Sequence, residues 1–312
     1  MGRQLLLVAI HRALSSRGMN SRLKLQETYG GSALSELMPV PDSAVDNRRL
    51  SDTLASLTAK QVEGIECAVV QRVLEREHVG LEALAFDTTN FDSYAAASTS
   101  SRLLKRGHGK SGKPLRVLGM GLLVTEDEGL PLLTFTYPGN ENDVTAFARF
   151  LQALDRRQSS LKLPVDATIA ADGGNISKDI LQQLESGPRF YVLRLPSKHA
   201  VALVRIASLQ LPMLGGRFKG KVRAAKYQSI VYGVERTVID VYSARMHSRQ
   251  LPGLQRDRKK ARADLSHLQD QLEKQRQGKR RAKPITMAAL RRRVAKALAR
   301  EHMRSLFHVK IE

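Results

Sequence analysis

Two short apolar runs, each ending in an aspartate, constrain this chain more than any other feature. Leu84-Ala85-Phe86-Asp87-Thr88-Thr89-Asn90-Phe91 is a strand-like run that delivers one acid and then small polar residues. Ala167-Thr168-Ile169-Ala170-Ala171-Asp172-Gly173-Gly174-Asn175 repeats the pattern, with a turn after the acid. The two acids are 85 residues apart in the chain, so their carboxylates meet only if the strands are neighbours in one sheet. Like charges at close range repel, and a cation between them removes the repulsion. Oxygen donors select a hard cation, and Mg²⁺ commonly takes one or two carboxylates plus phosphate oxygens. Asp87 and Asp172 are therefore candidate ligands for a divalent cation acting on a phosphodiester. An aspartate at a strand end is also an ordinary turn former or helix cap. Spacing alone leaves both readings open.

The residues around these runs set an order of elements. Over 1–80 the pattern is helical, with Leu54, Leu57, Val62, Ile65, Val69, Val73 and Leu74 spaced near three and four. Pro39–Asp42 marks a loop, and Ser51 or Asp52 stands where a helix cap is expected. Arg3, Arg12, Arg17, Arg22 and Lys24 make DNA contact an alternative to plain packing for this region. Leu115–Thr125 and Leu130–Tyr137 read as two further strands, joined by the turn Glu126–Gly129. Asn142 or Asp143 is placed to cap a helix whose apolar face is Val144, Phe147, Phe150, Leu151 and Leu154. A short helix over 177–185 and a strand over 190–195 complete the series. The predicted order, βββαβαβ, is that of an RNase H-like α/β fold: a mixed five-stranded sheet flanked by helices.

Charge narrows the choice of partner. The chain carries 51 Lys+Arg against 30 Asp+Glu, a formal charge of +21. That excess points to a polyanion, either nucleic acid or an acidic membrane. No apolar run approaches the length of a membrane span, and Leu5–Ile10 is too short for a signal peptide core. One cysteine, Cys67, excludes a disulfide framework and a Cys-rich zinc site within one chain, and reads as a core residue. The scattered histidines suggest no zinc site.

The basic residues gather in two places. Arg106, Lys110 and Lys113 lie in a glycine-rich loop. Gly109-Lys110-Ser111 imitates a nucleotide-binding loop, but Leu104 stands where that motif needs glycine. A phosphate-backbone contact or a solvated loop are the remaining readings. The second concentration is Arg245–Lys310, which holds 20 of the Lys+Arg residues. There Leu254, Ala261, Leu265, Leu268 and Leu272 form a coiled-coil-type stripe, Gly278–Pro284 breaks it, and Thr286 is placed to cap a second helix. Lys279, Arg280, Arg281, Arg291, Arg292 and Arg293 are the DNA-binding candidates on this helical hairpin; a solvated charged hairpin is the plain alternative.

An ordered set of motifs resembles a known family. Asp87-Thr-Thr-Asn-Phe91 is followed by Arg106-Gly107, Leu118-Gly-Met-Gly-Leu122, Asp127-Glu-Gly-Leu-Pro-Leu132, Pro138-Gly-Asn-Glu-Asn-Asp143 and Ala171-Asp-Gly-Gly-Asn-Ile-Ser177. The series is similar to bacterial insertion-sequence transposases of the DDE type, RNase H-like proteins with a large insertion before a third acid. The match is densest over about 80–195 and extends weakly to Val238–Ser243. The resemblance implies that Asp87 and Asp172 are the first two catalytic acids. With a third acid they would hold two Mg²⁺ (or Mn²⁺) ions, for cleavage at element ends and strand transfer to target DNA. It implies double-stranded DNA as partner, no membrane, and a nucleoid-associated, cytoplasmic site of action; a homodimer on DNA stays open.

The expected domains are 1–80, helical; 81–198, the catalytic core; and 199–312, a basic insertion of strands and a helical hairpin. The family's third acid is a glutamate on a later helix with Tyr, Arg and Lys at fixed offsets. Glu185 follows Asp172 too closely, Glu235 sits in a strand-like run, Glu301 lacks the upstream residues, and Glu312 is the last residue. The third acid is thus expected to be absent because the chain stops early. The rival expectations are a DNA-binding transposase remnant without activity and an RNase H-like nuclease.

Overall fold

In the computed structural model the described residues are all but 16–20, 97, 108, 110–112, 114, 201, 202, 204–209, 279–283, 301 and 312. The chain divides into two compact units, Met1–Pro196 and Ser197–Glu312.

The first unit begins with five helices: α1 (Gly2–Leu14), α2 (Leu25–Gly30), α3 (Leu34–Leu37), α4 (Asn47–Ala55) and α5 (Ala59–Arg76). Leu7, Leu25, Tyr29, Val45 and Leu50 give this region a small core of its own. The caps differ from the expected ones. Asp46 caps α4 by accepting from the amides of Arg48 and Arg49, and Thr58 caps α5 through a reciprocal capping box with Gln61. Ser51 lies inside α4, where its hydroxyl bonds back to the Asn47 carbonyl, so it is not available as a cap. The apolar stripe of α5 also splits. Val70, Cys67 and Leu74 pack on the sheet core, while Val62, Ile65 and Val69 are 51%, 45% and 57% exposed.

The sheet is built from β1 (Ala83–Ser93), β2 (Lys105–Arg106), β3 (Arg116–Thr125), β4 (Pro131–Pro138), β5 (Thr168–Ala171) and β6 (Phe190–Leu193). β1 and β3 run antiparallel, with Asp87 opposite Leu122, and β4 runs antiparallel on the other side of β3. The chain then crosses through α6 (Asp143–Arg157) to β5, which pairs parallel with β1. It crosses again through α7 (Lys178–Glu185) to β6, parallel to β5. Three antiparallel strands followed by two parallel ones, joined by helices, make the RNase H-like order. The added two-residue strand β2 pairs with the start of β3.

Alternation sorts the faces. Along β3 every second residue from Val117 to Thr125 is buried and the others are half-buried, so one face is packed and the other more open. The packed face meets α6. Phe86 stacks on Phe150 at 4.0 Å and tilts against Phe147 at 5.1 Å between ring centroids. Two glycines of β3 make room for aromatic rings. A Cβ on Gly121 would lie 2.8 Å from the Phe86 ring, and one on Gly119 would lie 2.2 Å from the Tyr137 ring. The Leu118–Leu122 motif is therefore a packing signature: its glycines let aromatic rings cross the strand.

The second unit holds α8 (Ser197–Ala200), the antiparallel hairpin β7 (Val222–Val231) and β8 (Val234–Ser243), α9 (Ala244–Arg276), α10 (Met287–Ala297) and α11 (Met303–Leu306). α9 and α10 pack as an antiparallel pair: Arg293 donates to Gln271, and Arg300 pairs with Asp257 nearer the start of α9. Their shared core includes Ala261, Leu265, Val294, Leu298 and Met303. Thr286 caps α10. Among the described residues no helix is long and apolar enough to cross a membrane.

Candidate active site

Asp172 follows the last residue of β5, whereas β1 does not end at Asp87 as the sequence suggests but runs on to Ser93, held there by its pairing with β3. Asp87 stands where the parallel pairing with β5 ends. Phe86 of β1 pairs with Ala171 of β5, and each is followed directly by its acid, Asp87 and Asp172. Adjacent strands lie about 4.8 Å apart, so this register sets the two aspartates side by side. Crevices outside the carboxyl ends of parallel strands are where α/β sheets bind ligands. Local sequence explains each placement. Phe86 anchors its end of β1 in the core while Asp87 is exposed. Gly173 and Gly174 let the chain turn away immediately after Asp172. A Cβ on Gly173 would lie 2.7 Å from the Arg194 carbonyl oxygen.

Both carboxylates are tethered by their own backbone. Asp87 Oδ1 accepts from the Thr88 amide at 2.8 Å, and Asp172 Oδ1 accepts from the Gly173 amide at 2.7 Å. Arg194, just past β6, reaches Asp172 Oδ1 at 3.3 Å, with its side chain 70% exposed against 60% for the aspartate. An ion pair this exposed contributes at most about 1 kcal/mol, so Arg194 can leave Asp172 at little cost. Sequence reasoning misses Arg194; its signal is a lone arginine closing an apolar strand five residues after Arg189.

From sequence Asp143 reads only as a candidate helix cap. Asn142 is the cap, accepting from the Thr145 amide at 2.8 Å, and Asp143 is the first residue of α6. Its Oδ1 accepts a long hydrogen bond, 3.4 Å, from the hydroxyl of Thr88. Tyr137, 2% exposed, hydrogen-bonds Thr88 as well. Burial raises the Tyr137 pKa, and the charges of Asp143, Glu141 and Asp87 add to the effect beyond what the Thr88 bond takes back.

The predicted DNA-binding residues fall into three groups. Arg106 and Lys113 are exposed in the first unit, Arg106 on the edge strand β2 opposite Arg116. Gly109 of the same loop packs against Asp92, five residues beyond Asp87; at 3.3 Å per residue that is about 16 Å along β1. Arg291, Arg292 and Arg293 are exposed on α10 in the second unit. Lys110, Lys279, Arg280 and Arg281 lie outside the described residues, as do Glu301 and Glu312.

Among the described residues no three His, Cys, Asp or Glu side chains converge as a metal cage. Two adjacent, exposed carboxylates still fit a Mg²⁺-type cation, which completes its shell with water and phosphate oxygens.

A mixed sheet of three antiparallel strands followed by two parallel ones, with helices at the crossovers, defines an RNase H-like core. The family profile described as "Transposase DDE domain" matches residues 81–293. The chain belongs to that family. No curated protein matches it. Among solved structures it overlaps a piggyBac transposase synaptic complex with hairpin DNA, at 12% identity and a TM-score of 0.33, covering 78% of this chain and 50% of that one. It also overlaps a Mos1 transposase paired-end complex with the left transposon end, at 13% identity and a TM-score of 0.26, covering 60% and 57%. A mariner Mos1 paired-end complex with Mg overlaps at 16% identity and a TM-score of 0.23, covering 55% and 58%. The matched chains are thus covered over little more than half their length, and at these scores the overlaps add nothing to the topology described above.

Proposed function

We propose that this chain supplies the core of a DNA transposase that cuts phosphodiesters at element ends and joins them to target DNA. The register of β1 and β5, which sets Asp87 beside Asp172, carries this reading. Asp87 and Asp172 would hold Mg²⁺ or Mn²⁺, which supplies an activated nucleophile and neutralises charge on phosphoryl oxygens. The complete site of the family takes two ions and a third acid.

The chain's own groups account for the rest. The backbone tethers on Asp87 and Asp172 orient the carboxylates before any cation arrives, which lowers the cost of binding it. Arg194 is placed to exchange Asp172 for a phosphate oxygen. The basic loop, about 16 Å along β1 from Asp87, would meet the backbone roughly five base steps from the cut, at 3.4 Å per step. Arg106, Lys110 and Lys113 would serve there, and Lys279–Arg281 with Arg291–Arg293 on the second unit. Such a partner places the protein on the nucleoid.

The test uses a supercoiled plasmid carrying the DNA that flanks the coding sequence. Nicking or excision with Mg²⁺ or Mn²⁺, none with EDTA, and loss in both Asp87→Asn and Asp172→Asn are expected. Activity surviving both substitutions refutes the assignment. Salt-sensitive binding without cleavage under either ion would leave the DNA-binding remnant.

A further inference from the structure

Asp143 touches the flank of both acids. On one side its Oδ1 takes the Thr88 hydroxyl, and the Thr88 amide holds Asp87 Oδ1. On the other side its Oδ2 packs on Gly174, where a Cβ would lie only 3.2 Å away. Gly174 belongs to the single helical turn Gly173–Asn175, whose first amide holds Asp172. One carboxylate therefore braces the residue after Asp87 and the turn after Asp172.

The brace is mounted rigidly. α6 is fixed in the core by Phe147 and Phe150, each 0% exposed and packed on Phe86, the residue before Asp87. From there Asp143 accepts the Thr88 hydroxyl. No three acidic side chains among the described residues converge as a cage, which separates bracing from direct ligation.

We propose that Asp143 is a positioning residue for the cation site: from the first turn of α6 it sets the gap between Asp87 and Asp172. This rests on the cation reading given under Proposed function. Groups that orient ligands typically change metal affinity 10–100-fold when removed.

The experiment is Mn²⁺ binding to the full chain, followed by electron paramagnetic resonance, with urea midpoints measured alongside. Wild type should bind, and Asp87→Asn should abolish that binding. Asp143→Ala should weaken it about 10-fold. Asp143→Asn, which keeps an oxygen acceptor for Thr88, should stay within about threefold of wild type. Thr88→Val, which removes the hydroxyl alone, should reproduce most of the Asp143→Ala loss and carries the test if Asp143→Ala does not fold. Wild-type affinity in both Asp143→Ala and Thr88→Val overturns the positioning role. So does Asp143→Asn binding as weakly as Asp143→Ala, which would make the charge itself a ligand. A wild type that binds no Mn²⁺, or binds it regardless of Asp87→Asn, fails the cation reading and removes this inference with it.

Discussion

Glu66 is a single carboxylate on which three elements depend, and removing it should show how the sheet is held. From α5 its Oε2 pairs with Arg157 Nη1 of α6 at 2.7 Å, and its Oε1 accepts the Thr134 amide of β4 at 2.7 Å. The side chains are 23% and 11% exposed, Glu66 and Arg157 respectively. Arg157 also donates to Cys67 at 3.3 Å. Burial works against its charge, but the bonds to Cys67 and Glu66 outweigh it and raise the pKa. Glu66→Ala leaves this guanidinium without its counter-charge and an amide without its acceptor. Breaking a buried pair from one side costs about 3–5 kcal/mol. Water reaches Glu66 in part, so about 3 kcal/mol is expected, or roughly 6–12 °C in Tm for a unit of this size. Glu66→Gln keeps the acceptor and should lose about half as much. The pair Glu66→Gln with Arg157→Met removes both charges, keeps an acceptor for the Thr134 amide, and should fall within about 1 kcal/mol of wild type. The chain has no tryptophan, so urea unfolding is followed by far-ultraviolet circular dichroism. A loss below about 1 kcal/mol for Glu66→Ala, or a double variant as damaged as the single one, would refute the reasoning.

Three other outcomes are expected. Gly119→Ala should cost about 1–3 kcal/mol, because its Cβ would enter the Tyr137 ring at 2.2 Å; Tyr137→Leu in the same chain should recover most of the loss in urea unfolding. Tyr137 has a raised folded pKa, so the unfolded chain releases its proton first as pH rises. Stability is then fully present below about pH 10 and falls above it, and the fall should be shallower in Tyr137→Phe when Tm is scanned against pH. Replacing Arg291, Arg292 and Arg293 by alanine should flatten the plot of log binding constant against log salt for duplex DNA, by about 0.9 for each phosphate no longer neutralised; an unchanged slope would clear these arginines of any role at the DNA backbone.

How much of this was legible beforehand depends on whether the signal is local. Strand alternation, the Asn142 cap, the Thr286 cap and the apolar stripe of α6 are written in neighbouring residues, and the structure follows them. The stripe on α5 misleads because Val62, Ile65 and Val69 satisfy the helical period on a face the sheet does not cover. Periodicity reports that a helix has an apolar side, not which side is occupied. Ser51 and Asp52 fail as caps for a related reason. Asp46 and Thr58 both precede good helix formers, and only backbone geometry decides which polar residue ends outside the first turn.

At the site the legible part is the part that repeats. An acid after an apolar run, seen twice, suffices to suggest adjacency, and parallel pairing supplies it; only Asp172 ends its strand, because pairing with β3 carries β1 on to Ser93. Thr88, Tyr137 and Asp143 share no spacing rule, since they come from β1, β4 and α6 and meet only through tertiary packing. Yet their order follows from the topology. The crossover from β4 to β5 passes over β3 and β1, and the first turn of α6 meets β1 at Thr88, next to Asp87. A polar residue opening that crossover is therefore a candidate to brace the site in any chain with this strand order. In this one it is an aspartate whose Oδ1 accepts from Thr88, next to Asp87, and whose Oδ2 lies beside Gly174 in the turn after Asp172.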